Sequence, residues 1–139
     1  MRQTVYTAAA IMALATGGFA HAQSQTRAKV DLVCASAGEM LHYDCIIKLA
    51  NSRTGEPITG VTLSVGADMP SMPGIHNVRP VQATEEPIKG TYKARIVLEM
   101  HGDWAVRMDL SGAIRDRVIA TLRFEGDQVL DGKHAPGRR

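Results

Sequence analysis

The 139 residues, 45% of them hydrophobic and 22% charged, suffice for one packed domain and leave no room for a second of ordinary size. Thirteen glycines and six prolines without a period exclude a collagen-like or low-complexity chain, and the apolar fraction is too high for a disordered one. Sixteen Lys and Arg against fourteen Asp and Glu are scattered with no basic block, so no nucleic-acid partner is expected.

The first element is a processing signal. Arg2 precedes a run of apolar and small residues over 5–15, followed by Gly17-Gly18 and Ala20-His21-Ala22, the order of a secretory signal peptide with an A-x-A cleavage site. The run is shorter than the roughly 20 residues that span a bilayer. Cleavage after Ala22 is therefore expected to deliver residues 23–139 to the periplasm as a soluble protein.

In an oxidising compartment a lone pair of cysteines, Cys34 and Cys45, is expected to form a structural disulfide. Predicted strands at 29–35 and 42–50 support it. Paired antiparallel with Cys34 opposite Cys45, they also place Leu32 opposite Ile47 and Val30 opposite Leu49, with all three pairs toward the core. Directly opposed residues lie about 4.5–5.5 Å apart at Cα, within reach of a disulfide. The alternative, a redox or metal-binding dithiol, is weakened by a spacing that is not C-x-x-C.

Further strands are predicted at 58–66, 91–100, 104–111 and 117–125, with a short one near 78–83 inside a long loop over 67–83. The period of two is clearest late in the chain: Tyr92, Ala94, Ile96, Leu98 and Met100 share one face, and Lys93, Arg95 and Glu99 the other. Trp104, Val106, Met108 and Leu110 repeat the pattern, as do Val118, Ala120, Leu122 and Phe124. No stretch sustains a helical period. Six to seven short antiparallel strands, each with one apolar face, build an all-β, two-sheet sandwich. The domain is placed at 23–127, between the signal peptide at 1–22 and a flexible tail at 128–139.

The nucleophile elbow G-x-S-x-G, the H-E-x-x-H zinc helix and a phosphate-cradling glycine loop are all missing, so no enzymatic activity is expected. What stands out is the stretch from Asp68 to His76, which holds Met69, Met72 and His76. Thioethers are soft, uncharged ligands that favour Cu(I) over Zn, Mg or Ca, and imidazole accepts either copper oxidation state. Pro70 and Pro73 push the preceding methionines toward extended conformations, which would space Met69 and Met72 by roughly 9 Å on one side of a polyproline-like segment. Gly74 would then turn the chain and bring His76 in from a third direction. These three ligands include no carboxylate. The plainer alternative makes Met69 and Met72 flexible gap-fillers over the end of the sandwich. Met100 is placed at the core or its rim, Trp104 in the core, and His42, His101 and His134 in solvent. Asp116, between Arg115 and Arg117, is read as a turn ion pair.

The loop MPSMPGIHN, the segment GTYKARIVLEMHGDWAVRMDLSG with its G-x-Y and M-x-G-x-W spacing, and the closing IRDRVIATLRF resemble the YtkA-like domain family, which is related to FixH-like proteins. The resemblance implies an immunoglobulin-like sandwich, exported or membrane-tethered, found with copper-handling or efflux systems. It assigns the Met-rich loop to Met69 and Met72, the following polar position to His76, the strand-end methionine to Met100 and the structural tryptophan to Trp104. Many relatives carry a further Met or His where this chain has Gly74-Ile75. The implied function is a periplasmic accessory protein that holds Cu(I) through Met69, Met72, His76 and Met100 for resistance, efflux or oxidase assembly. The implied partner is an efflux or oxidase-assembly protein at the inner membrane. A metal-free immunoglobulin-like module that docks to a membrane transporter or oxidase is the alternative.

Overall fold

The computed structural model describes residues 25–131; the expected signal peptide and His134 lie outside the described residues. Among the described residues nine strands form, in chain order β1 (Ala28–Ser36), β2 (His42–Asn51), β3 (Thr62–Asp68), β4 (Asn77–Gln82), β5 (Thr84–Glu85), β6 (Thr91–Val97), β7 (Gly102–Ser111), β8 (Asp116–Glu125) and β9 (Gln128–Asp131). One sheet runs β1-β2-β6-β5 and the other β4-β3-β7-β8-β9, every pair antiparallel. With β1, β2, β6 and β5 as A, B, E and D, and β4, β3, β7 and β8 as C′, C, F and G, this is the immunoglobulin-like order, with β9 added beyond G.

Alternation determines what meets between the sheets. Tyr43, Cys45, Ile47 and Leu49 on β2 and Tyr92, Ala94 and Ile96 on β6 face Leu63, Val65 and Ala67 on β3 and Trp104, Val106, Met108 and Leu110 on β7, all buried. Phe124 closes one end, its ring 4.7 Å from that of Tyr43. The Tyr43 hydroxyl donates to the Gly126 carbonyl at 2.7 Å, and burial, helped by the Asp127 charge, raises its pKa above the ordinary phenol value. The predicted register of the first hairpin is the one found: Cys34 opposite Cys45, Leu32 opposite Ile47, Val30 opposite Leu49. Cys34 and Cys45 are bonded, their Cα atoms 4.0 Å apart. The bond joins neighbouring strands of one sheet rather than crossing the core.

Several boundaries differ from the expected ones. The strand placed at 58–66 is found at Thr62–Asp68, because Pro57 and Gly60, the latter at φ +67°, keep the chain irregular while Ile58 still hydrogen-bonds Leu49. The last strand of the first sheet stops at Val97 instead of residue 100, where the Leu98 N–H turns away to the Leu41 carbonyl. The long loop shrinks to 69–76, since β4 pairs with β3 across a bulge between Val65 and Ala67. Residues 128–131, assigned to the tail, form β9, in which Val129 packs on the core. β4 is the short strand expected near 78–83, and β5 and β9 carry the count beyond the six to seven expected.

Asp116 ties the two sheets together at the start of β1. Its carboxylate accepts the Ala28 N–H at 2.8 Å, the Arg117 N–H at 2.9 Å and the Arg27 guanidinium at 3.1 Å, while the Arg117 side chain bonds Asp109 instead. The ion pair thus reaches across the fold to Arg27, not to the neighbouring arginines. Burial alone would raise the Asp116 pKa, but the hydrogen bonds from Ala28, Arg117 and Arg27 outweigh it and hold the carboxyl below its ordinary value. A carboxyl depressed in the folded chain stabilises that chain at pH above the unfolded pKa, near 3.9, and the contribution disappears as pH falls through the folded value. Asp116→Asn is therefore expected to cost about 1–3 kcal/mol in urea unfolding at pH 7. The gap from the parent protein should narrow as pH falls below the ordinary carboxylate range; a gap that is flat with pH would contradict this role.

Candidate metal centre at one end of the sandwich

The pairing register gathers four connections at one end. His42 pairs with Val97, Asp68 with both Asn77 and Ala105, and Gly102 with Phe124, so the turn at 37–41, the loop at 69–76, the link at 98–101 and the turn at 126–127 lie side by side. Four of the five methionines after residue 22, Met40, Met69, Met72 and Met100, lie there, and the fifth, Met108, is fully buried mid-sandwich.

The methionine loop is tightly folded rather than extended. The Met72 N–H donates to the Met69 carbonyl at 3.0 Å and the Ile75 N–H to the Met72 carbonyl at 3.3 Å, two successive turns with Pro70 and Pro73 each in second place. Gly74 follows Pro73 at φ +78°, a conformation that glycine adopts without strain. The Met69 N–H donates to the His76 carbonyl at 3.1 Å and closes the loop. A β-turn brings its end Cα atoms to within about 7 Å, so Met69 and Met72 are closer than the polyproline spacing of roughly 9 Å would place them. The prolines do hold both methionines at the extended first position of a turn, but the turn hydrogen bonds shorten the path between them.

The loop lies against the 98–101 link. A Cβ on Gly102, at φ +137°, would stand 2.7 Å from the Met69 methyl carbon, so the glycine makes room for that side chain. The M-x-G-x-W spacing has a physical basis here: Trp104, fully buried, donates its indole N–H to the Met100 carbonyl at 3.1 Å, and Gly102 between them receives Met69. Met69 is 6% exposed and caps the core as the gap-filler reading expects; Met72 is half-buried against it, and Met100 is 37% exposed at the rim. His101 is exposed, and His42 is half-buried with Nδ1 2.9 Å from the Met40 carbonyl and Nε2 3.4 Å from Glu39.

His76 Nδ1 lies 2.6 Å from Glu99 Oε2. An ionised carboxylate only accepts, so Nδ1 carries the proton and, in the neutral ring, Nε2 keeps a free lone pair, the arrangement in which a histidine serves as a metal ligand. The contact sets a carboxylate beside His76 that the sequence did not place there, as a partner of the imidazole and not as one of the three expected ligands. Glu99 was missed because alternation placed it on the polar face of its strand, and no spacing rule links it to a histidine 23 positions earlier. Met40 was missed because nothing in a turn between two cysteine strands marks it. Among the described residues no group of three or more His, Cys, Asp or Glu is arranged to hold a metal ion.

A model of the YtkA-like domain matches residues 22–109. The chain belongs to the YtkA-like family. The YtkA-like match takes in both cysteines, the methionine loop, Met100 and Trp104, and ends within β7, so the closing segment 114–124 and β9 lie beyond it. Comparison with curated proteins and with solved structures gave no match.

Proposed function

We propose that this protein is a periplasmic copper-binding accessory protein that holds Cu(I) at the Met/His end of the sandwich and delivers it for resistance, efflux or oxidase assembly. The observation that carries the reading is the packing of the 69–76 loop on the 98–101 link. It places the thioethers of Met69, Met72 and Met100 and the Glu99-oriented imidazole of His76 at one end of a rigid fold. Thioether sulfur stabilises Cu(I), while a site in which the imidazole is the main hard donor and the carboxylate is engaged by it suits Zn(II) poorly. The disulfide is of the kind formed in an oxidising compartment, in keeping with export.

Replacing Met69 and Met72 together by leucine tests this. The exchange conserves volume and should cost less than about 1.5 kcal/mol of stability. Anaerobic titration against a chromophoric Cu(I) chelator should show Cu(I) binding by the parent protein, more weakly matched by Zn(II), and its loss in the double variant. Unchanged Cu(I) affinity in that variant would eliminate the site.

A further inference from the structure

The turn between β1 and β2, which sequence reading used only to close the disulfide hairpin, presents a methionine to solvent. Met40 is 80% exposed, whereas its neighbour Leu41 is packed against the core at φ +64°, a left-handed conformation uncommon for a residue with a side chain. The Leu41 carbonyl accepts the Leu98 N–H at 2.9 Å, which fastens this turn to the link that carries Glu99 and Met100. Ile75, 72% exposed, and Val97, 46% exposed, extend the apolar surface around these methionines. An isolated exposed apolar side chain is ordinary; three on adjoining connections, with Val97 at the end of β6 beside them, are a patch.

The charge around the patch is mostly negative. Glu39, Glu99, Asp103, Glu125 and Asp127 occupy the same four connections or the strand ends beside them. Against these carboxylates stand Arg123, bonded to Asp103 and Glu125, Arg95, bonded to Asp44 and near enough to Glu39 to feel its charge, and Arg79 on edge strand β4. The described lysines lie elsewhere: Lys29 on β1, Lys48 on β2, and Lys89 and Lys93 at and on β6. A chain with a formal charge of +2 thus turns an acidic, thioether-bearing end outward.

We propose that this end is a docking face for a partner with a cationic rim around its own exposed thioethers, and that Met40 and Met100 are the groups through which Cu(I) passes to it. The proposal rests on the copper reading for its cargo, but not for the contact itself. Complementary charge selects the partner and speeds encounter, the apolar methionines adapt to its surface, and the buried Met69 remains behind them.

The test uses the exported protein with 13C-labelled methionine methyls and two synthetic peptides, one with two methionines set among lysines and one with glutamates in place of those lysines. In metal-free protein at low salt, the lysine peptide should shift the Met40 and Met100 resonances and leave buried Met108 unmoved, while the glutamate peptide shifts none. Raising salt to about 0.5 M or introducing Glu39→Lys should weaken binding roughly tenfold or more. In Cu(I)-loaded protein, Met40→Leu should slow transfer to the lysine peptide without changing Cu(I) affinity. Equal response to the two peptides, or to neither, overturns the docking face whether or not copper binds. Binding of the lysine peptide by protein that cannot be loaded with Cu(I) keeps the face and removes the copper reading.

Discussion

Replacing Cys34 and Cys45 together by alanine is expected to lower stability by about 2–5 kcal/mol, a large part of the roughly 5–15 kcal/mol that holds a domain of this size. The bond closes a loop with a sequence separation of 11, worth about 3 kcal/mol if it acts by restricting the unfolded chain. Cys45 is fully buried and Cys34 is 8% exposed, so the double serine variant should lose about 1–3 kcal/mol more by placing hydroxyls in an apolar layer. The same burial argues against redox exchange, because a thiolate must reach a sulfur to attack it. Urea unfolding of the three proteins measures the costs. A thiol assay on protein purified without reductant should find no free thiol with or without denaturant; two titratable thiols would refute the bridge.

The first hairpin was legible in full because three constraints agreed: a cysteine pair that had to meet, a period of two, and an apolar set that a slip of one residue would expose. The late strands were legible for the same reason of alternation. Boundaries at 58–61 and 98–100 were not, since Ile58 and Leu98 are buried from irregular backbone and periodicity does not separate a buried loop residue from a strand residue. β9 was missed because its only core contact is Val129, too little pattern for a strand of four residues. At the candidate site the sequence marked Met69, Met72 and His76 by residue type, but not their surroundings. That Met69 fills the space over Gly102, that Glu99 orients His76 and that Met40 joins the same end depend on pairings between distant strands. No local spacing encodes them.

Trp104 is where the core and the candidate site meet, and its two substitutions should separate the roles. Trp104→Ala empties the largest fully buried side chain between the sheets and is expected to cost about 3–5 kcal/mol in urea unfolding. Trp104→Phe keeps an aromatic ring of smaller size but loses the indole N–H that holds the Met100 carbonyl at 3.1 Å. Its cost should fall to about 1–3 kcal/mol, the sum of a lost hydrogen bond and a partial void. The consequence for the site is distinct from the loss of stability. With its carbonyl released, the 98–101 link is anchored by the Leu98 N–H and the strand start at Gly102, so Met100 and Glu99 gain freedom while Met69 remains packed. Under conditions where Trp104→Phe is fully folded, the Met100 methyl resonance should move toward the position of a solvent-exposed methionine and Met108 should stay in place. Cu(I) affinity should drop with it if Met100 and the Glu99-oriented His76 take part. A folded Trp104→Phe protein with an unmoved Met100 resonance would show that the link is held by other contacts and that the indole serves packing alone.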